Sequence, residues 1–411
     1  MERISENHQC CLLKTQNIVN KQGYSVLVIG YNCYQGHVGD FIRNWKKANP
    51  LVTITLLTNR SKGLFSEDAL ECVSRFVRIV PYTGAIKNKR IRKFIGLWRF
   101  VKKFVSLSRE SYDFVNIHYP TPRVHHAIFW IKRMTKNVIV TPWGSDVLRV
   151  EKESLIKKLK KIYNAATCVF VDPESQLGKE VVAKFECDPK KILPICWGLE
   201  FVDFIKESRP VETVEESKAR FGLEDRYVVT CGYNSRLAQR HEAIVDAVAK
   251  VKEDLPENLT LLFPFTYGRL PWTGYDRWIL DKCSQYEIKG AVISEFLNNK
   301  DMYLLRNATD MFVHVQTTDA ASACVMQYIL CNKKIVHGSW MKYNELEQFK
   351  PLFYYPVDCI EDLPNVLLMA YQSDPIQIPQ GVIDTIMSKG WGGKMRDLNA
   401  YCESKLEKRL A

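Results

Sequence analysis

The chain of 411 residues has no Asp-x-Asp, no His-x-x-x-His or His-Glu-x-x-His, no Cys-x-x-Cys and no Gly-x4-Gly-Lys-Ser/Thr. Nothing in its motifs therefore supports a compact carboxylate site for a divalent cation, a zinc hydrolase helix, a dithiol redox centre or a P-loop. Long apolar runs are missing too: no stretch approaches the ~18 uncharged residues that a spanning helix needs, so any membrane contact is predicted to be peripheral. The N-terminal MERISENHQCC carries two glutamates and no basic region followed by an apolar core, which does not read as a signal peptide. Thirteen cysteines, odd in number and scattered, predict reduced thiols in a cytoplasmic protein. The Cys10-Cys11 pair reads as incidental or as a lipid-attachment site.

What is present is the composition of a packed globular chain of two to three domains, with 46% hydrophobic and 25% charged residues. The net charge of +12 is unevenly spread: residues 1–200 hold 33 basic and 17 acidic side chains, residues 201–411 hold 25 and 29. Such polarity predicts a phosphate-rich partner, nucleic acid or an anionic membrane, touched by the N-terminal half.

Short apolar runs alternate with amphipathic segments throughout, the pattern of βαβ units and parallel sheets. Strands are predicted at 24–30, 52–57, 76–80, 114–117, 138–141 and 168–171. The chain then turns charged near 198–225, and the alternation restarts with strands at 227–231, 259–263, 291–293, 311–315 and 334–336. The reading is an α/β chain of two Rossmann-like, doubly wound domains facing a cleft. A polar tail (1–22) precedes a first domain (23–205) and a second (206–388), and a last helix (389–411) is expected to pack back on the N-terminal domain.

Open α/β sheets bind ligands at the carboxyl ends of their strands, which directs attention to the loops there. The first, Cys33-Tyr34-Gln35-Gly36-His37-Val38-Gly39, offers Gly36 and Gly39 as an anion-approach loop or as a tight turn needing positive φ. A second is Thr141-Pro142-Trp143-Gly144-Ser145-Asp146, where Ser145 or Asp146 also suits a helix cap. It resembles the Thr-x-His-Gly-Ser-Asp turn of retaining glycosyltransferases with the GT-B fold, particularly glycosyltransferase family 4, with Trp143 standing where many members have histidine.

In the second half, Gly232-Tyr233-Asn234-Ser235-Arg236-Leu237-Ala238-Gln239-Arg240-His241 occupies the place of that family's Gly-Arg-Leu-x-x-x-Lys-Gly motif. The resemblance implies that Arg236 and Arg240 hold the donor diphosphate, which two guanidinium groups suit chemically. Asn234, Gln239 and His241, with Thr266, Tyr267 and Gly268, look more like the N-acetylfucosamine transferases that act on lipid-linked sugars. Thr317–Val336 resembles the family's Glu-x7-Glu signature with Asp319 and Gln327 at the two acidic positions. By resemblance Asp319 positions the sugar, Gln327 the ribose, Ser322 belongs to the donor loop, and His118 or Asp146 meets the acceptor hydroxyl.

Residues 87–103 carry eight cations and no acid, and Ile91, Phe94, Ile95, Trp98, Val101 and Val105 recur at helical spacing. An interfacial helix on an anionic bilayer has this pattern, and so has a helix whose stripe packs on a sheet. The expectation is a retaining, metal-independent glycosyltransferase of hexosyltransferase type, without a cofactor. It uses a nucleotide-sugar and a lipid-linked or polysaccharide acceptor in bacterial surface-glycan biosynthesis, and sits on the inner face of the membrane through 87–105. Alternatives are a non-transferase GT-B enzyme such as a sugar-nucleotide epimerase, or a basic nucleic-acid-binding protein, for which no RNP, KH or zinc-finger pattern speaks.

Overall fold

The computed structural model describes residues 23–80, 88–195, 197–268, 270–319, 322–343, 349–350 and 352–410. The tail with Cys10 and Cys11, Lys87, and Ala320 and Ala321 of the signature loop lie outside the described residues. Seven strands, β1 (Ser25–Gly30), β2 (Thr53–Thr58), β3 (Arg75–Arg78), β4 (Phe114–His118), β5 (Val138–Thr141), β6 (Cys168–Phe170) and β7 (Ile192–Leu193), form one parallel sheet ordered β3-β2-β1-β4-β5-β6-β7. Six more, β8 (Tyr227–Cys231), β9 (Leu259–Pro264), β10 (Lys289–Ile293), β11 (Met311–His314), β12 (Lys334–Gly338) and β13 (Tyr354–Val357), form a second parallel sheet ordered β10-β9-β8-β11-β12-β13.

Strand order reverses between β1 and β4 in the first sheet and between β8 and β11 in the second. At such a switch point successive connections leave to opposite faces, opening a crevice at the carboxyl edge. Apart from the edge strands β3 and β10, the strands are buried on both faces, which is why they read as apolar runs rather than as alternation. Two strands escape the sequence pattern. β7 has two residues, too few for periodicity, and β13 contains Pro356, whose missing N–H is tolerated because β13 is an edge strand.

Helix Trp391–Leu410 carries the chain back to the first sheet. Trp391, Met395, Leu398 and Cys402 join a core shared with Phe41 and Trp45 of helix Gln35–Ala48. Asn399 Oδ1 accepts from Tyr24 Oη at 2.5 Å and from Trp45 Nε1 at 3.2 Å, so the polar tips of two buried rings are satisfied there. The ten cysteines among the described residues form no disulfide.

Helix Lys89–Leu107 starts where the Asn88 side chain caps it, accepting from Arg90 N at 2.9 Å and Ile91 N at 3.3 Å. Its buried residues are Phe100, Phe104 and Leu107. The stripe legible in the sequence points elsewhere: Ile91, Phe94 and Trp98 are exposed. The helix therefore has two apolar faces on nearly opposite sides, Phe100, Phe104 and Leu107 on one and Ile91, Phe94 and Trp98 on the other.

Candidate active-site cleft

On the N-terminal side, the β1 loop and the β5 turn meet through aromatic rings. The His37 ring lies 5.1 Å from Tyr34, 5.3 Å from Trp143 and 6.1 Å from Trp197, measured between centroids. His37 keeps an exposed edge, and the rings that take water from the rest of it lower its pKa. Gly36 and Gly39 fall within helix Gln35–Ala48, and neither has positive φ. A Cβ at Gly36 would sit 2.7 Å from the exposed Tyr34 ring, which would have to turn aside. The residue of positive φ in this loop is Asn32.

His118, at the end of β4, lies beneath this layer at 1% exposure, 4.4 Å from Phe41 and 5.6 Å from Trp197. Neither ring nitrogen has a partner among the described residues, and burial pushes its pKa down to about 3. The imidazole is thus neutral at physiological pH. Asp146 is 4% exposed; its Oδ1 accepts from Trp143 N at 2.9 Å and so holds the turn, while Oδ2 has no partner among the described residues. Burial raises this carboxyl to about pH 7, against the backbone N–H groups that lower it. Gly144, at φ 110°, makes the bend that brings the two ends of the turn together.

On the C-terminal side, three loops are stitched into one surface. Gly232 (φ 65°) turns the chain out of β8, and a Cβ there would lie 2.6 Å from Gln239 Oε1. That oxygen accepts from Tyr233 N at 3.2 Å, while Gln239 Nε2 donates to Gln316 Oε1 at 2.7 Å. Thr317 N donates to Ala238 O at 3.0 Å, so the loops after β8 and β11 are joined. Ser235 N donates to Tyr267 O at 3.2 Å, which adds the β9 loop with Thr266, Tyr267 and Gly268. Buried Asn234 accepts from Arg236 N at 3.0 Å and directs the exposed Arg236 outward beside Gly268 (φ 100°). Arg240 lies 5.1 Å over the Trp340 ring. Among the described residues, neither Arg236 nor Arg240 pairs with a carboxylate.

Asp319 meets two side chains at one oxygen, and one of them is itself held by the loop. His314 Nε2 stands 3.2 Å from its Oδ2, Tyr343 Oη donates to the same oxygen at 2.9 Å, and Tyr343 Oη accepts from Ser322 N at 2.7 Å. Ser322 caps helix Ala323–Leu330, accepting from Cys324 N at 3.2 Å. Gln327, one turn on, accepts from Arg306 Nε at 3.1 Å. Arg306 is 3% exposed, also donates to Tyr328 Oη at 2.9 Å, and meets no carboxylate among the described residues. His241 opens helix His241–Lys250 facing inward: it is 1% exposed, its Nδ1 is 3.0 Å from Tyr275 Oη, and burial lowers its pKa to about 4.

Across the cleft, Arg149 Nε donates to Thr318 Oγ1 at 3.0 Å, linking the residue just past the Trp143–Asp146 turn to the neighbour of Asp319. His118, His241 and Gln327 are thus turned into packed surroundings, whereas Arg236, Arg240, Asp319 and the Tyr267 loop share one rim. Sequence reading passed over His314, Tyr343, Trp340, Arg149 and Arg306. The strand-end rule reaches the first three, which close β11 or follow β12; Arg149 and Arg306 act at a distance in sequence and leave no signal.

No protein-family model matches the sequence, and no curated relative does. Solved structures do. A glycosyltransferase from Rickettsia africae aligns over 94% of this chain and 99% of its own, with TM-score 0.69 and 14% identity. The lipopolysaccharide outer core galactosyltransferase WaaB, in its apo form, aligns over 93% and 99% with TM-score 0.62 and 12% identity. The chain has the GT-B fold. Anabaena Alr3699/HepE, solved in complex with UDP and glucose, shares it over 94% and 99% at TM-score 0.61 and 12% identity. Arg236, Arg240 and Asp319 come from loops of the second sheet, and His37 and Trp143 from segments that follow β1 and β5 of the first.

Proposed function

We propose that the chain is a retaining glycosyltransferase that moves a sugar from a nucleoside-diphosphate donor to a lipid-linked or polysaccharide acceptor. The observation that carries this reading is the pair Arg236 and Arg240, two cations without carboxylate partners among the described residues, on loops tied to that of Asp319. In the transfer, the acceptor oxygen bonds the anomeric carbon as the bond to the diphosphate oxygen breaks, and the hydroxyl proton leaves with the diphosphate. Charge builds on that leaving group, and fixed guanidinium groups stabilise it without reorganising. Metal independence is part of the proposal, because these cations supply the neutralisation.

Asp319, with Oδ2 held by Tyr343 beside His314, hydrogen-bonds sugar hydroxyls. Gln327, turned to Arg306, is left out of the donor contacts. The complexes of Alr3699/HepE with UDP and glucose and the galactosyltransferase activity named for WaaB agree with a nucleotide-sugar donor and a surface-glycan product. The acceptor is met at the inner face of an anionic membrane, through the basic 87–105 segment.

A thermal-shift titration with UDP, ADP, GDP and dTDP, each with EDTA, tests the donor site. A diphosphate at a hundred times its Kd adds about 2.7 kcal/mol of stability. The wild type is expected to respond to at least one of the four, and the Arg236→Ala, Arg240→Ala double variant to none. No response from the wild type, or an equal response from the double variant, overturns the reading.

A further inference from the structure

Helix Glu200–Ser208 takes the chain from β7 towards β8, and helix Trp391–Leu410 brings it back; Trp391 N donates to Asp203 Oδ2 at 2.9 Å where the two meet. Together with helix Gln35–Ala48 they enclose a cleft of about 810 Å³. Small-molecule sites span roughly 300–1,000 Å³. At its mouth stands Asn299, which opens helix Asn299–Asn307 between β10 and β11, so both halves of the chain contribute to the wall. None of Arg236, Arg240, Asp319, His37 and Trp143 lines it, and the cleft is therefore separate from the donor rim and the ring layer.

Its floor is Asn399, 9% exposed. The core behind this residue orients its amide: the Trp45 indole N–H can only donate, so the atom 3.2 Å from it is Oδ1, which also accepts from Tyr24 Oη. Both Nδ2 hydrogens are thereby left for the cleft, and they have no hydrogen-bond partner among the described residues. A buried amide without an acceptor forfeits free energy that a ligand can restore. Three residues earlier, on the same face of the helix, Arg396 lines the cleft and pairs with no carboxylate among the described residues. The acids of the wall are occupied: Glu200 takes Arg43 at 2.7 Å, Glu207 meets Lys47 at 3.6 Å, Asp203 holds Trp391 N, and Glu403 has a partner as well. The uncommitted polar groups are thus donors, and beside them half-buried Phe204 and Met395 supply an apolar wall.

We propose that this cleft is a second binding site, for a small organic acid with an aromatic body. Its carboxylate oxygens accept from the Arg396 guanidinium and from Asn399 Nδ2, and its ring packs on Phe204 and Met395. A planar two-oxygen acceptor matches a guanidinium and an amide placed one helical turn apart. A phosphate fits less well, because its second charge would lie among Glu200, Glu207 and Glu403 with one free guanidinium to balance it. An occupant touches the helix that joins the two sheets and Asn299 beyond it, so it bridges the two halves of the chain. The site is independent of the donor reading above, and its test involves neither a donor nor catalysis.

Ligand-observed NMR on the full chain reads it out, with benzoate, phenylacetate and indole-3-acetate each beside its neutral amide, and with inorganic phosphate as competitor. The wild type is expected to bind at least one of the acids saturably in the millimolar range or below. The matching amide should bind about tenfold or more weakly, since a hydrogen bond to a charged group is worth roughly ten- to a hundredfold. Arg396→Gln should weaken the acid by a similar factor and leave the amide unchanged, and Ala400→Trp, which fills the cleft, should abolish binding of both. Arg396 and Ala400 are exposed, so both variants are expected to melt with the wild type, which makes the comparison fair. The Arg236→Ala, Arg240→Ala double variant should bind the acid as the wild type does. No saturable binding of any acid, equal binding of acid and amide, or undiminished binding by Ala400→Trp overturns the proposal. So does loss of binding in the double variant, which would assign the acid to the donor rim, or displacement of the acid by an equal concentration of phosphate.

Discussion

Replacing Asp146 by Asn isolates the electrostatics of the Trp143–Asp146 turn. In the wild type the carboxyl is 4% exposed, with Oδ1 committed to Trp143 N and Oδ2 unpartnered among the described residues. Burial lifts its pKa from 3.8 to about 7. A carboxyl whose pKa is higher in the folded than in the unfolded chain holds its proton more tightly when folded. Its contribution is fully present below about pH 4 and is lost as pH rises through about 7. A shift of about three units corresponds to roughly 4 kcal/mol at the upper end. The amide keeps an oxygen for Trp143 N–H and has no charge to desolvate. Melting curves of both proteins from pH 4 to 8 should therefore show the variant gaining on the wild type as pH rises. At about 2–4 °C per kcal/mol for a unit of this size, the relative gain is about 8–16 °C. Other titrating groups, Asp40 among them, occur in both proteins and cancel in the difference. A difference that stays flat across the range would refute the burial argument.

Four further outcomes follow from other parts of the structure. Arg236→Ala should lower turnover by roughly two to four powers of ten in a coupled assay of diphosphate release, if its charge meets the leaving group. Transfer should persist in EDTA; loss in EDTA with recovery on adding magnesium or manganese would contradict neutralisation by Arg236 and Arg240. Gly232→Ala, at φ 65° and 2.6 Å from Gln239 Oε1, should cost more than about 1 kcal/mol in urea unfolding and loosen the stitch between the β8 and β11 loops. Gln327→Glu places a carboxylate on Arg306, whose buried charge has no acid among the described residues. An unchanged or higher melting temperature is expected, since Arg306 is already desolvated, and a fall of several degrees would show the amide to be the better partner.

The chain's alternation of apolar runs and amphipathic segments determined, by itself, that there are two parallel sheets, because a strand buried on both faces must be apolar throughout. It likewise located the loops after β1, β5, β8, β9 and β11, since parallel strands connected by helices place all their carboxyl ends on one edge. It also contained the positive charge of the N-terminal half. Which way a side chain points was decided only by tertiary contact. His118 and His241 read as site residues in sequence, yet each has its ring among aromatic neighbours at 1% exposure. Asp319 was legible, but His314 and Tyr343, which hold it, come from the end of β11 and the loop after β12 and meet it only when the sheet forms. The stripe of Ile91, Phe94 and Trp98 was legible as apolar, and whether it faced the sheet or solvent depended on Tyr31 engaging Phe100 instead. Periodicity records that a face is apolar; what covers that face is settled by residues far away in sequence, and here it is why the helix has one face on the core and another in the open.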